Sequence, residues 1–381
     1  MTPGARLSAA IAVLDRVLAG EPAEKALTNW GRASRYAGSG DRAAVRDLVF
    51  DALRRRGSAA ALGGGLTGRG LVLGLMRAAG QETLFSGEGH APEVPGPEEA
   101  GREPSPGERL DLPGWLVPEL RESLGAELEP VAAALRIRAP VFLRANLGKT
   151  DAPGAIAALA AEGIVARPHP LAATALEVVE NARRVQASEA FRSGLVELQD
   201  AASQAVVEAL PLMDGMKVLD HCAGGGGKTL AMAARARLKL HAHDANPRRM
   251  ADLPERAKRA GVKVALTDRP EEEAPYDLVL VDAPCSGSGS WRRDPEGKWR
   301  LTPEGLAATE ATQAAILDRV APMVLAGGRL AYATCSLLER ENGGQVRAVL
   351  SRTLGWRLEH ELRLTPLQGG DGFYLALLQR I

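Results

Sequence analysis

From Lys217 to Ser336 the chain alternates apolar runs that read as strands with stretches of helical periodicity. The runs are KVLDHCA (217–223), KLHAHDA (239–245), KVALTD (263–268), YDLVLVDAP (276–284) and GRLAYATCS (328–336), with helices expected from Lys228, over 247–260 and near 303–323. Strands this apolar cannot leave a face in water. Their order therefore specifies an α/β fold, an open parallel sheet covered by helices on both sides. WRLEHELRL (356–364) and FYLALLQR (373–380), joined across a Gly-Gly-Asp-Gly turn, add a terminal antiparallel hairpin.

The same grammar divides the rest of the chain. VFLRAN (141–146) and 174–179 read as strands around a helix at 153–162 opened by proline, which makes 131–212 a small α+β subdomain before the main sheet at 213–381. At the start, Leu7, Ile11, Leu14 and Leu18 recur at helical spacing, as do Val45, Leu48, Val49, Ala52 and Leu53, so 1–75 is read as all-helical. Between them, 76–130 is rich in Pro, Gly and Glu with no sustained period; it reads as an exposed acidic linker with a short helix from Trp115 to Ser123.

The charge is segregated along these divisions. Residues 1–75 hold eleven Lys/Arg against six Asp/Glu, whereas 81–130 hold three against twelve. A basic helical region is the footprint of a phosphate-backbone binder, with a solvated helical face as the alternative. No run approaches the roughly 18 apolar residues of a membrane helix, and Asp15 and Arg16 interrupt the only leader-like stretch. A cytoplasmic protein with no membrane partner is expected. Three cysteines without a CxxC pair argue for reduced thiols, against a disulfide framework and against zinc. His241 and His243 alternate on one strand without a third ligand, so no metal is expected.

In such a sheet the ligand lies at the carboxyl ends of the strands, and the first loop is the favoured cradle. Here it is Cys222-Ala223-Gly224-Gly225-Gly226-Gly227-Lys228-Thr229. A phosphate-binding Walker loop needs glycine where Cys222 stands, and a nicotinamide fingerprint needs glycine where Thr229 stands. S-adenosylmethionine, with no phosphate to cradle, fits better. Asp244 ends the second strand, where a carboxylate accepts ribose hydroxyls; Asp268 ends the third, within reach of an adenine amino group; Asp282 ends the fourth. One such aspartate alone reads equally as a helix cap. Three at successive strand ends do not.

Cys285 follows Asp282-Ala283-Pro284, and Cys335 closes the fifth strand in Ala333-Thr334-Cys335-Ser336, which brings both thiols to the cofactor edge. An unperturbed thiol is only about 3% thiolate at pH 7, so a nucleophilic role requires a lowered pKa. Lys228, Arg292 and Arg293 are the cations the sequence offers for this.

In family order, FLRANLGKTD, VELQDAASQAVVEAL (196–210), DHCAGGGGKT, DAPCSGSG followed by WRRDP, and ATCSLLEREN resemble the Sun (Fmu) family of RNA cytosine-carbon-5 methyltransferases, of the bacterial small-subunit ribosomal RNA methyltransferase B type. DRAAVRDLVFDALRR (41–55) resembles the NusB-like helical domain that precedes such catalytic parts. The resemblance implies a Rossmann-like class I methyltransferase sheet, S-adenosylmethionine as cofactor, and an RNA substrate, ribosomal in the nearest type. It implies Cys335 as the nucleophile that adds to carbon 6 of cytosine and Cys285 as the second thiol, for proton removal or adduct release. Asp282 would hold the cytosine edge, and Lys228 would stabilise charge near the ring. Cys222 to Lys228, Asp244, Asp268 and Asp282 match the family's cofactor contacts. The chain departs from the pattern at Gly224-Gly225, where the family carries Ala-Pro; a looser loop with weaker or slower cofactor capture is expected. Residues 131–212 and the basic helices would grip RNA. The alternative class is a catalytically silent RNA-binding or ribosome-assembly factor that kept the fold. The particular cytidine, ribosomal against transfer RNA, and the oligomeric state stay open.

Overall fold

The computed structural model describes residues 1–381, which divide into two units. The first comprises Met1–Arg121, Gly125–Arg138 and Trp291–Arg300. Five helices, Pro3–Leu18, Ala23–Ala33, Ser39–Arg54, Arg56–Leu62 and Gly68–Ala78, build its core. Their periodic apolar positions turn inward: Leu7, Leu14, Val45, Val49 and Leu53 are buried together with Leu71, Val72 and Leu73.

The stretch 76–130, expected as an exposed linker, is instead part of this unit's packing up to Arg121 and again from Gly125. Phe85, Leu110, Leu112 and Leu116 are buried. They are spaced irregularly and enter the core one at a time, so no period advertises them. Its acidic residues meet the basic helices: Glu99 pairs with Arg69 at 2.6 Å and Glu82 with Arg77 at 2.8 Å. The buried Asp111 accepts from the Ser58 N–H at 2.8 Å and the Ser58 hydroxyl at 2.9 Å.

Trp291–Arg300 completes the same unit. Lys298, 1% exposed, donates to the carbonyls of Arg54 (2.9 Å) and Asp111 (2.7 Å), and Trp299 Nε1 donates to the Leu53 carbonyl (2.7 Å). Burial pushes the Lys298 ammonium down to about 7.

The second unit holds two sheets. The smaller has β1 (Val141–Ala145), β2 (Val165–Pro168), β3 (Ala175–Glu180) and β4 (Val196–Leu198) in the order β2-β3-β1-β4, with every pair antiparallel. The helix Ala152–Ala161 lends Ala155 and Leu159 to its core, beside Leu143, Leu176 and Val196.

The larger sheet contains β5 (Lys217–Asp220), β6 (Lys239–Ala242), β7 (Ala265–Leu266), β8 (Tyr276–Asp282), β9 (Val324–Thr334), β10 (Trp356–Leu364) and β11 (Phe373–Arg380). Their order is β10-β11-β9-β8-β5-β6-β7. Strands β5 to β9 pair in parallel, while β11 runs antiparallel between β9 and β10. The parallel sheet and the terminal hairpin are those expected. Counted from β5, the order is 3-2-1-4-5-7-6, so the direction of winding switches between β5 and β8, and a crevice opens at their carboxyl ends. Edge strand β7 is only two residues long, shorter than the 263–268 expected, and Leu266 is 46% exposed. A short edge limits stray pairing.

The two sheets of this unit are joined by buried polar contacts. Arg144 of β1 donates to the Gly227 carbonyl at 2.7 Å, while Asn146 Nδ2 donates to the Ala260 carbonyl at 2.9 Å.

Candidate active site

Strand β5 ends at Asp220 and the chain turns through the glycine loop into the helix Gly227–Ala233. Gly224 (φ +51°) and Gly226 (φ +80°) take left-handed conformations that an L side chain adopts only with strain. A Cβ at Gly226 would lie 2.2 Å from Leu253 Cδ1, so this glycine lets the loop close on the helix behind it. The others open forward. Cys222, Ala223, Gly224, Gly225, Gly227 and Lys228 line a cleft of about 590 Å³, with Asp282 and Cys285 from the end of β8 and Cys335 from the end of β9 on its wall.

Asp244 lies just past β6, buried, and organises the loop: the Gly224 N–H donates to Oδ2 at 3.0 Å, the Asn246 N–H to Oδ1 at 2.9 Å, and Arg249 stands 3.6 Å away. Asp268 is placed differently. Because β7 stops at Leu266, Asp268 falls in an exposed bend and is not part of the cleft wall.

Sequence reasoning passed over Asp220. It is 1% exposed and lines the cleft; Oδ2 accepts from Thr229 Oγ1 at 2.6 Å, but Oδ1 has no hydrogen-bond partner. Burial pushes its carboxyl up to about 7, opposed by the bond from Thr229. A buried acceptor left unpaired beside a cleft calls for a donor from a ligand. Its position at the carboxyl end of the first parallel strand was the available signal.

The two outer thiols meet. Cys285 Sγ and Cys335 Sγ are 3.4 Å apart, a hydrogen-bonding distance for sulfur in which either can donate. The contact with Cys335, together with burial and the Glu341 charge, pushes the Cys285 thiol well above its ordinary value. The sequence offered Lys228, Arg292 and Arg293 as cations able to lower a nucleophilic thiol; the neighbours of Cys285 are a second thiol and the Glu341 carboxylate. Arg292 and Arg293 lie in the segment that folds with the helical unit and do not line the cleft. Lys228 does, but it is committed to Asp282 at 2.7 Å. Cys222 is pushed up to about 12 by burial and by Asp220, Asp282 and Asp244.

His243 stacks on His221 with ring centroids 4.7 Å apart, and His241 packs edge-on to Tyr276. No group of three His, Cys, Asp or Glu side chains is placed to hold a metal ion, and no helix is long and apolar enough to cross a membrane.

Comparison with known proteins places this arrangement. Residues 207–379 match the family 16S rRNA methyltransferase RsmB/F, and residues 112–186 match the ferredoxin-like domain of RsmF/B-like methyltransferases. Ribosomal RNA small subunit methyltransferase B of Salmonella arizonae is 33% identical over 282 residues, 70% of this chain and 66% of that protein. The match thus spans just under two thirds of the relative's length. The crystal structure of PH0851 covers 100% of this chain and 99% of its own with a TM-score of 0.78 at 23% identity. A methyltransferase homolog from Pyrococcus horikoshii covers 72% of this chain with a TM-score of 0.64. These two show the fold.

S-adenosylmethionine is the methyl donor for such a domain, and the residues present fit it. The unpaired Asp220 Oδ1 suits an ammonium and the glycine loop admits close backbone approach, while Asp244, which does not line the cleft, holds the loop from behind through the Gly224 N–H. Domain matches, sequence identity and strand order agree: residues 112–379 carry the domains of an RsmB/F (Sun) family methyltransferase.

Proposed function

We propose that this chain methylates carbon 5 of a cytidine in RNA, with ribosomal RNA as the substrate, through a covalent bond between Cys335 and carbon 6. The observation that carries the reading is the pair of sulfurs 3.4 Å apart on the wall of the glycine-loop cleft. Methylation of an oxygen or a nitrogen needs no sulfur nucleophile. Carbon 5 of cytosine does, because it is too weak a nucleophile until a thiolate has added at carbon 6.

S-adenosylmethionine supplies an electrophilic methyl on a sulfonium. Cys335 gives up its proton to solvent, and its sulfur lone pair forms the bond to carbon 6. The former carbon 5–carbon 6 π pair then takes the methyl at carbon 5. Loss of the carbon 5 proton to solvent leaves its C–H bonding pair to re-form the carbon 5–carbon 6 double bond, and the sulfur departs with the pair of the carbon 6–sulfur bond. Cys285, held protonated by the contact with Cys335 and by burial, is unsuited to attack. It suits donation toward Cys335 as that sulfur leaves.

Asp282, about one third exposed, presents an acceptor for the cytosine edge, and Lys228 balances its charge. A base stacked in a helix hides carbon 6, so the cytidine must be unpaired or flipped. The small antiparallel sheet and the helical unit supply the remaining RNA grip.

The test is methyl transfer from labelled cofactor to RNA from cells lacking the gene, with bisulfite sequencing of the product. C335A should abolish transfer and leave cofactor binding intact. Wild-type protein that binds this RNA tightly but modifies no cytidine would establish the silent-binder alternative.

A further inference from the structure

Behind the cleft wall, one carboxylate joins the two loops that carry the thiols. Glu341 is fully buried and takes four donors. Oε1 accepts from the Ser286 N–H at 2.8 Å and Gln313 Nε2 at 3.0 Å; Oε2 accepts from the Ser286 hydroxyl at 2.5 Å and from the Ser336 hydroxyl. Ser286 is the residue after Cys285, and Ser336 is the residue after Cys335. None of the four donors is a cation. Burying a carboxylate on those terms is costly unless its lone pairs are filled, and four converging donors fill them. An amide in the same place would turn its NH2 toward two of the donors.

The surrounding bonds brace the same frame. Gln313 Nε2 also donates to the Pro284 carbonyl at 2.9 Å, Ser288 Oγ accepts from the Leu337 N–H at 2.8 Å, and the Tyr332 hydroxyl donates to the Glu341 carbonyl at 2.7 Å. The first ties the residue before Cys285 to the helix Pro303–Val320, the second ties the two thiol loops to each other, and the third anchors the Glu341 turn to β9. Of these residues only Pro284 lines the cleft; Glu341, Gln313, Ser286 and Ser336 do not.

We infer that Glu341 is a positioning residue for methyl transfer: acting through Ser286 and Ser336, it holds the two sulfurs at the spacing at which one passes a proton to the other. The inference rests on the reading of Cys335 and Cys285 as a working pair. Its charge also contributes to keeping Cys285 protonated.

The test uses the full chain and phenylarsine oxide, a probe for two adjacent thiols. The arsenic forms two bonds to sulfur, and the oxide oxygen leaves as water with both thiol protons. Starting from neutral thiols and ending in a neutral adduct, the equilibrium reads sulfur spacing rather than acidity. Wild-type protein should bind one equivalent, and C222S should bind it equally well.

S336A, which removes the hydroxyl's bond to Glu341 and the one it accepts from the Leu338 N–H but leaves the carboxylate in place, and E341Q should each bind at least about tenfold more weakly, because the second bond loses effective concentration. Both should also lower kcat for methyl transfer with the cofactor Kd unchanged. E341A strips four buried donors and risks unfolding, so S336A and E341Q carry the decision. Wild-type affinity for the arsenical in both variants would overturn the inference. So would weaker binding accompanied by faster alkylation of Cys222, which marks general loosening. Wild-type protein that holds the arsenical but transfers no methyl would refute the functional reading and leave the thiol geometry standing.

Discussion

Lys228 Nζ lies 2.7 Å from Asp282 Oδ2 and 4.6 Å from the centroid of the Phe373 ring, so its ammonium is held between a carboxylate and an aromatic face at the cleft wall. Lys228 is 7% exposed. K228M leaves Asp282 uncompensated beside the reacting ring and should lower single-turnover methyl transfer about hundredfold. D282N added to K228M should cost far less than D282N alone, since the two act as a unit. Additive losses in the four-variant cycle would show that the pair is not one working group.

Asp220 gives the free protein a pH signature. The folded chain keeps this proton up to about pH 7, whereas an ordinary aspartate releases it near 3.8. Between those values the folded state binds more protons than the unfolded state, so stability falls as pH rises. D220N should abolish this part of the slope, seen as a smaller drop in Tm between about pH 5 and about pH 8. Cofactor affinity should run the other way. A ligand ammonium favours the carboxylate, so wild-type affinity measured by calorimetry should rise through about pH 7, and D220N should flatten and weaken it. Equal pH profiles for the two proteins would remove Asp220 from the cofactor site.

Gly224 and Gly225 stand where the family carries Ala-Pro, and the backbone has taken advantage of the difference. A proline at 225 confines residue 224 to extended conformations, but Gly224 sits at φ +51°. Arg256 also donates to the Gly225 carbonyl. G225P should therefore weaken cofactor binding about tenfold by equilibrium titration, the equivalent of about 1.4 kcal/mol of backbone strain. Tighter binding would mean that the loop reaches the family's conformation at little cost.

Loss of the second thiol should separate formation of the RNA adduct from its release. C285A retains Cys335 but removes the thiol 3.4 Å from it. After incubation with cofactor and RNA it should accumulate a species of retarded mobility that survives denaturant. C335A and the C285A/C335A double variant should show none. A retarded band in C335A would reverse the roles of the two cysteines.

The sheet was legible because apolar strands and helices alternate without interruption from Lys217, and because the glycine loop and both thiol loops fall where parallel strands end. Three features were not. Phe85, Leu110 and Leu112 are buried without periodicity, so their Pro- and Glu-rich surroundings read as linker. Trp291–Arg300 follows the Cys285 loop directly in sequence yet folds with the helices, through Lys298 and two carbonyls that no motif announces. Asp268 was read as ending the third strand because 263–268 was read as six residues of strand; β7 has two, and Asp268 lies in the exposed bend after it.

The acidic stretch folded onto the N-terminal helices changes how their charge acts on other molecules. Arg69 holds Glu99 of that stretch, and Arg6, Arg16 and Arg46 hold Asp41, Glu21 and Glu24 of the helical region itself. A polyanion docking on these helices would displace fewer condensed counterions than eleven basic residues suggest. Its binding constant should fall with a correspondingly shallow slope against the logarithm of salt concentration.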